Sequence, residues 1–153
     1  MALMNAQRSH PGHADINHYF CRALANLSAN KDNQVAIMTQ GGLMALMNAQ
    51  RSHPGHANVI DNFCRALANL AINDDNQVTI VTQGGLMALI SAQRNHLVHE
   101  LLNSAFVWAL YNIMQSQRAA VEACGGIAVV RAIMQRFPAN TAIQTMGKSV
   151  VDL

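Results

Sequence analysis

The stretch MALMNAQRSHPGH at residues 1–13 recurs letter for letter at residues 44–56. Residues 1–43 align with residues 44–86 at 33 identities, and a weaker third copy, MALISAQRNHLVH, begins at Met87. Self-similarity of this kind predicts that each copy is one supersecondary unit, which buries its apolar face against neighbouring copies. The period of 43 residues falls in the range of helical repeats, so it predicts an all-α fold.

Each copy divides into three predicted helices. In the central copy, a short helix at 74–83 has Asp74 or Asp75 as its expected N-cap, and a Gly-Gly turn ends it. A medium helix follows at 86–94. In the preceding copy, a Pro-Gly pair leads into the longest segment, in which spacings of four and three residues predict one buried helix face. That predicted apolar stripe consists of Val59, Phe63, Leu67 and Leu70.

The three-helix unit, with Gly-Gly after its first helix and ALANL or ALYNI near the end of its third, resembles the armadillo repeat. The matching triads are Leu24-Ala25-Asn26, Leu67-Ala68-Asn69 and Leu110-Tyr111-Asn112. The resemblance covers essentially the whole chain, as about three and a half repeats, and implies a right-handed α-solenoid of armadillo-type three-helix repeats. It divides the chain into four units. Residues 1–31 form a partial N-terminal repeat with only its second and third helices, residues 32–73 and 74–116 form two complete repeats, and residues 117–153 form a C-terminal cap-like repeat.

The first and last copies depart from the pattern. The first copy begins on its second helix, so we expect apolar surface around Leu3, Phe20 and Leu24 to be partly uncovered. In the last copy we expect Gly147 to interrupt a weak third helix, which has no ALxN motif. Such ends either belong to a longer array or pair with another copy of the chain.

The resemblance implies that third helices line a concave groove, where an Asn near the end of each helix makes paired hydrogen bonds to an extended peptide. An amide side chain suits this role because it offers a donor and an acceptor, as a peptide unit does. One turn earlier stand Arg22, Arg65 and Trp108, and Arg favours acidic or phosphorylated segments. The predicted peptide-binding residues are Asn26, Asn69, Asn112, Arg22, Arg65, Trp108, Tyr19 and Asn62.

Structural roles remain open for the same residues. The Asn side chains alternatively bond neighbouring backbone and stabilise the stack, and Trp108 alternatively packs within its apolar AFVWALY stretch. Two turns before Trp108 and its equivalents stand Asp15, Asn58 and Leu101. The groove is therefore expected to be polar at its N-terminal end and apolar near Trp108.

Histidine pairs with HxxH spacing recur at the repeat period, as His10/His13, His53/His56 and His96/His99. Histidine is a common metal ligand. In two copies, however, a Pro-Gly pair separates the two histidines, and no Cys or carboxylate completes a ligand set in the sequence. We interpret these histidines as turn and helix-cap residues and expect neither a metal nor another cofactor.

Composition narrows the function classes. The formal net charge of +2 is too small to indicate nucleic-acid binding, and no apolar run reaches membrane-spanning length. No nucleophile–base pair, phosphate-binding glycine loop or carboxylate pair stands out, so we do not expect an enzyme. We expect Cys21, Cys64 and Cys124 to be reduced and buried, which favours the cytoplasm, or alternatively the nucleus.

Two functions fit these patterns. The first is a protein- or peptide-binding scaffold that grips an extended partner segment in the groove through its row of Asn side chains. The second is a structural or self-assembling repeat fragment, engineered or excised, that forms a homo-oligomer through its uncapped ends. The near-identity of two copies motivates the second reading.

Overall fold

The computed structural model describes residues 2–152, and within that range the chain forms ten α-helices and no β-strand. The predicted all-α class is therefore confirmed. None of these helices is both long and apolar enough to cross a membrane. The helices are α1 (Ala2–Ser9), α2 (Ala14–Leu27), α3 (Lys31–Thr39), α4 (Gly42–Ser52), α5 (Ala57–Leu70), α6 (Asp74–Thr82), α7 (Gly85–Arg94), α8 (Glu100–Ala123), α9 (Gly126–Arg136) and α10 (Thr141–Val151).

Helices with the same place in the repeat lie side by side. The three most extensive helix–helix contacts are those of α2 with α5, α5 with α8, and α8 with α10. These helices are the third helices of successive copies, and we use that term for them below. The stripe predicted on α5 is completely buried at Val59, Phe63, Leu67 and Leu70. α5, which packs between α2 and α8, therefore lies at the centre of the molecule.

The Gly-Gly turns use their two glycines for different reasons. The first glycine of each turn, Gly41, Gly84 or Gly125, has a φ angle between 77° and 84°, a left-handed conformation that favours glycine. The second glycine lies against the preceding helix. At Gly42, an added Cβ atom would stand 2.7 Å from the carbonyl oxygen of Ile37. A side chain is thus excluded sterically at the second position.

α8 is long because it joins the third helix of one copy to the first helix of the next. Its backbone leaves the helical region only at Gln117, where φ is −119° and ψ is 35°. Just before this kink, Ser116 donates its backbone N–H and its hydroxyl to Oε1 of Gln77, at 3.1 and 2.6 Å. These bonds tie the end of the third helix to α6.

The predicted cap of α6 is wrong. Its N-cap is Asn73, not Asp74 or Asp75, and the Asn73 side-chain oxygen accepts a hydrogen bond from the backbone N–H of Asn76 at 3.1 Å. Asn30 caps α3 at the same place in the preceding copy. An Asn cap one residue earlier leaves both aspartates in the first turn, where their negative charge faces the positive end of the helix.

The predicted interruption at Gly147 is also wrong, because α10 is unbroken from Thr141 to Val151. An added Cβ atom at Gly147 would stand 2.6 Å from Sδ of Met134. The glycine therefore lets α10 approach α9 closely rather than ending the helix.

Burial differs from expectation at three further positions. Phe20 and Leu24 are 3% and 1% exposed, because α1 and α5 cover the apolar face of α2. Leu3 is 38% exposed, as predicted, and borders a shallow groove of about 310 Å³. All three cysteines are free thiols, but Cys124 is only half-buried, since it lies in a turn at the end of α8.

Candidate functional site

The residues predicted to bind a peptide lie on the third helices α2, α5 and α8. On α2, Tyr19, Arg22 and Asn26 are all exposed, at spacings of three and four residues that put them on one helix face. The Tyr19 ring is 61% exposed and stacks on the His18 ring at 4.8 Å between centroids. This face of α2 is therefore exposed, and none of the three residues lines the groove that contains Arg65 and Trp108.

Arg65 and Trp108 come together in a groove of about 280 Å³ between α5, α8 and α10. Trp108 is half-buried and also packs against the core, so it has the packing role that was the alternative interpretation of the sequence. Leu101, which is 73% exposed, forms part of the same wall. The complete lining is Asp61, Arg65, Leu101, Ser104, Ala105, Trp108 and Met146. The groove has a polar edge from α5 and an apolar wall from α8 and α10.

The polar edge holds one weak ion pair. Arg65 Nη1 lies 3.9 Å from Asp61 Oδ2, and the Arg65 side chain is 58% exposed while that of Asp61 is 19% exposed. Burial raises the pKa of the Asp61 carboxyl, and the nearby Arg65 guanidinium and His99 ring lower it by less. At 3.9 Å this ion pair is weak. The Arg65 guanidinium, which is mostly exposed, is accessible to an anionic partner.

Two of the three predicted Asn side chains bond to the preceding third helix. Nδ2 of Asn69 donates to the carbonyl oxygen of Ala25 at 2.8 Å, and Nδ2 of Asn112 donates to that of Ala68 at 2.9 Å. The structural role held open from the sequence is thus present at both positions. An amide nitrogen has two hydrogens, so each side chain retains a second N–H and its oxygen.

The solvent exposure of the predicted Asn side chains differs from helix to helix. Asn26 is exposed, Asn69 is half-buried and Asn112 is 9% exposed. Asn62 is 8% exposed, and its Nδ2 donates to the backbone carbonyl of Asn58, one turn back, at 2.8 Å. The Asn62 amide therefore serves α5 itself, and the groove wall here is formed by other residues.

Three further residues line the groove that were not among the predicted binding residues: Asp61, Ser104 and Met146. A signal for Asp61 was present, because it stands four residues before Arg65 and hence on the same helix face. No pattern pointed to Met146, which reaches the groove from α10, a helix far away in sequence.

In the second and third copies the histidines connect copies and cap helices, whereas His13 of the first copy stands at the N-cap of α2 without a capping side-chain bond, contrary to the prediction. Nε2–H of His53 and of His96 each donates to the carbonyl oxygen of the proline 42 residues earlier, at 2.9 Å. Nδ1 of His56 and of His99 accepts the backbone N–H three residues later, at 3.4 and 3.3 Å, and so caps α5 and α8. Across residues 2–152, no three His, Cys, Asp or Glu side chains are grouped as a metal site.

The chain was compared with known proteins in three ways. No protein-family model matches it, and neither the curated proteins nor the solved structures yielded a match. The repeat and the groove are thus the observations from which its function is inferred.

Proposed function

We propose that this protein is a binding scaffold of the armadillo-repeat type, which holds an extended partner segment against its third helices. The 43-residue repeat, the Gly-Gly turns and the side-by-side third helices support a right-handed α-solenoid of such units. The observation that carries the proposal is the groove in which Arg65 and Trp108 meet between successive third helices. Concave sites with an apolar wall and a few polar groups are the usual form of binding sites.

The partner segment lies across α2, α5 and α8 in this proposal. The second N–H and the oxygen of Asn69 and Asn112 hold its backbone, independently of its side chains. The exposed guanidinium groups of Arg22 and Arg65 receive carboxylates or phosphates, and Trp108 supplies apolar contact. The three free cysteines support action in a reducing compartment, the cytoplasm or the nucleus.

The test is a peptide-array screen followed by affinity measurement with the double variant Arg22→Ala, Arg65→Ala. Twelve-residue acidic and phosphoserine peptides that bind the wild-type chain are titrated by fluorescence anisotropy. We expect the double variant to weaken binding by about tenfold or more, since hydrogen bonds to charged groups contribute about 1.5–3 kcal/mol each. Both side chains are exposed, so the melting temperature should stay within a few degrees of wild type.

The matched control is Arg51→Ala, Arg131→Ala, which removes the same charge from exposed positions on α4 and α9. This control should bind as the wild type does. The proposal fails when no peptide of the array binds the wild-type chain, or when the two double variants bind equally well.

Self-assembly is the second candidate function, and one observation favours it. The groove of about 310 Å³ beside the exposed Leu3 is lined also by Leu24, Leu27 and Ile37, and Leu27 is 43% exposed. Apolar surface of this kind is suited to contact with another copy. Light scattering across a hundredfold concentration range tests it: a mass that rises with concentration supports assembly, and a constant monomer mass contradicts it.

A further inference from the structure

The third copy of the repeat carries three apolar residues at positions where the other copies are polar or form a tight turn. Leu97, Val98 and Leu101 replace Pro11, Gly12 and Asp15 of the first copy, and Pro54, Gly55 and Asn58 of the second. These three side chains, which we call the apolar ridge, are 48%, 76% and 73% exposed. The change is therefore towards apolar surface in contact with water.

The fold does not require the apolar ridge. The turn before α8 keeps the features of the turn before α5, because His96 and His99 make the same bonds as His53 and His56. The first two copies form their turns with Pro-Gly. Exposed apolar side chains grouped on one part of a surface mark interaction sites.

Two residues of the apolar ridge line different depressions. Leu101 lines the groove that contains Trp108. Leu97 lines a cleft of about 660 Å³ together with Val129, Ile133 and Arg136. A chain that leaves the groove past Leu101 meets the exposed side chains of Val98 and Leu97.

Ionisable groups stand beside the apolar ridge rather than within it. Glu100, next to Leu101, is exposed and accepts a hydrogen bond at Oε1 from Nδ2 of Asn140, at 2.8 Å, and His99, next to Val98, caps α8. The neighbouring groove wall contains Ala105, Trp108 and Met146, with Ser104 as a polar side chain among them. The charged groups of the groove, Asp61 and Arg65, stand on α5 instead. Recognition by charged groups and recognition by apolar groups are thus separated along the path of the partner.

Resting on the proposed function, we infer that the partner segment carries a block of bulky aliphatic side chains next to its polar part, and that this block docks on the apolar ridge. The polar part then lies over α2 and α5, and the aliphatic block lies over Leu101, Val98 and Leu97. The partner, rather than a second copy, occupies the ridge because the ridge is continuous with the groove that Arg65 and Trp108 line.

The chain itself supplies the test variant. Leu97→Pro, Val98→Gly gives the third turn the Pro-Gly pair of the second, which forms this turn before α5, and leaves Leu101 in the groove wall unchanged. The control variant is Val78→Asn, Met87→Asn. It removes two apolar side chains of 47% and 57% exposure from α6 and α7, away from the ridge.

The first probe is the acidic peptide of the array that binds most tightly. The other probes are the same peptide with Leu-Leu-Val-Leu added at either end, and, as the polar control, with Ser-Asn-Ser-Ser added at either end. We expect the aliphatic extension at one end to tighten binding by about tenfold, as burial of a few apolar side chains would. The ridge variant should lose this gain and still bind the unextended peptide, while the control variant should keep the gain.

The ridge inference is overturned when the aliphatic extension brings no gain, or when the ridge variant keeps the gain. Binding of the unextended peptide then leaves the proposed function standing, whereas failure of every peptide overturns both. Two further results would overturn the inference. If the chain dimerises without peptide and the ridge variant does not, the ridge binds a second copy. If the chain co-sediments with phosphatidylcholine vesicles and the ridge variant does not, the ridge binds a lipid surface.

Discussion

At the scale of single residues, burial decides the chemistry of the cysteines. Burial raises the pKa of the Cys21 thiol to about 12 and raises that of Cys64 as well, with the nearby Asp61 charge adding to the effect at Cys64. Cys124 is half-buried, and its Sγ lies 3.2 Å from the carbonyl oxygen of Val121. The thiolate is the reactive form of cysteine, so the two buried thiols should be inert.

Thiol labelling tests this difference. With iodoacetamide at pH 8, we expect Cys124 of the folded chain to be modified at least ten times faster than Cys21 or Cys64. In denaturant all three should react alike. Peptide mass spectrometry identifies the labelled position, and comparable rates for Cys64 and Cys124 in the folded chain would contradict the burial described above.

A second residue-scale prediction concerns the histidine that links the first two copies. His53→Ala removes the bond from Nε2–H to the Pro11 carbonyl and should lower the free energy of unfolding by about 1 kcal/mol, the usual net contribution of one hydrogen bond. His10 is the equivalent residue of the first copy and is exposed. Urea unfolding should therefore show a smaller effect of His10→Ala; equal effects of the two variants would argue against the link.

At the scale of helices, the turn between α3 and α4 depends on the absence of a side chain at Gly42. A Cβ atom there would stand 2.4 Å from Cγ2 of Ile37 and 2.7 Å from its carbonyl oxygen, so backbone would have to move. We expect Gly42→Ala to destabilise the chain by about 2 kcal/mol or more, within the range of overpacked cores. Thermal unfolding followed by circular dichroism measures the change.

Gly12→Ala is the control for that prediction. No heavy atom lies within 4 Å of a Cβ atom built at Gly12, and its φ is not positive. The control should thus melt within a few degrees of the wild type. A Gly42→Ala chain as stable as the control would mean that α3 and α4 pack less tightly than described.

At the scale of the whole molecule, protection should decrease from the central third helices outwards. α5 packs against α2 on one side and α8 on the other and buries nine residues, whereas α1 buries only Met4 and Gln7. Local opening is easiest where few apolar contacts hold a helix. In native-state hydrogen exchange, amides of α5 should exchange at least a hundredfold more slowly than those of α1, and uniform rates would contradict this gradient.

Several features of the fold follow from the sequence alone. The repeat period and the spacing of Val59, Phe63, Leu67 and Leu70 predict a helix with one buried face, because helix periodicity is a local property. The Gly-Gly and Pro-Gly pairs predict turns for the same reason. Of the predicted binding residues, Arg65 and Trp108 meet in one groove, since equivalent positions of stacked copies lie side by side.

Other features were decided only by the tertiary structure. The hydrogen bond of Asn69 to Ala25, the place of Met146 in the groove and the close approach permitted by Gly147 all join residues from different helices. The exposure of the apolar ridge was also decided by the tertiary structure, because the sequence alone does not distinguish a buried apolar residue from an exposed one. Periodicity assigns a residue to a face of its own helix, but the distance to a neighbouring helix and the water left between them arise only when the helices pack.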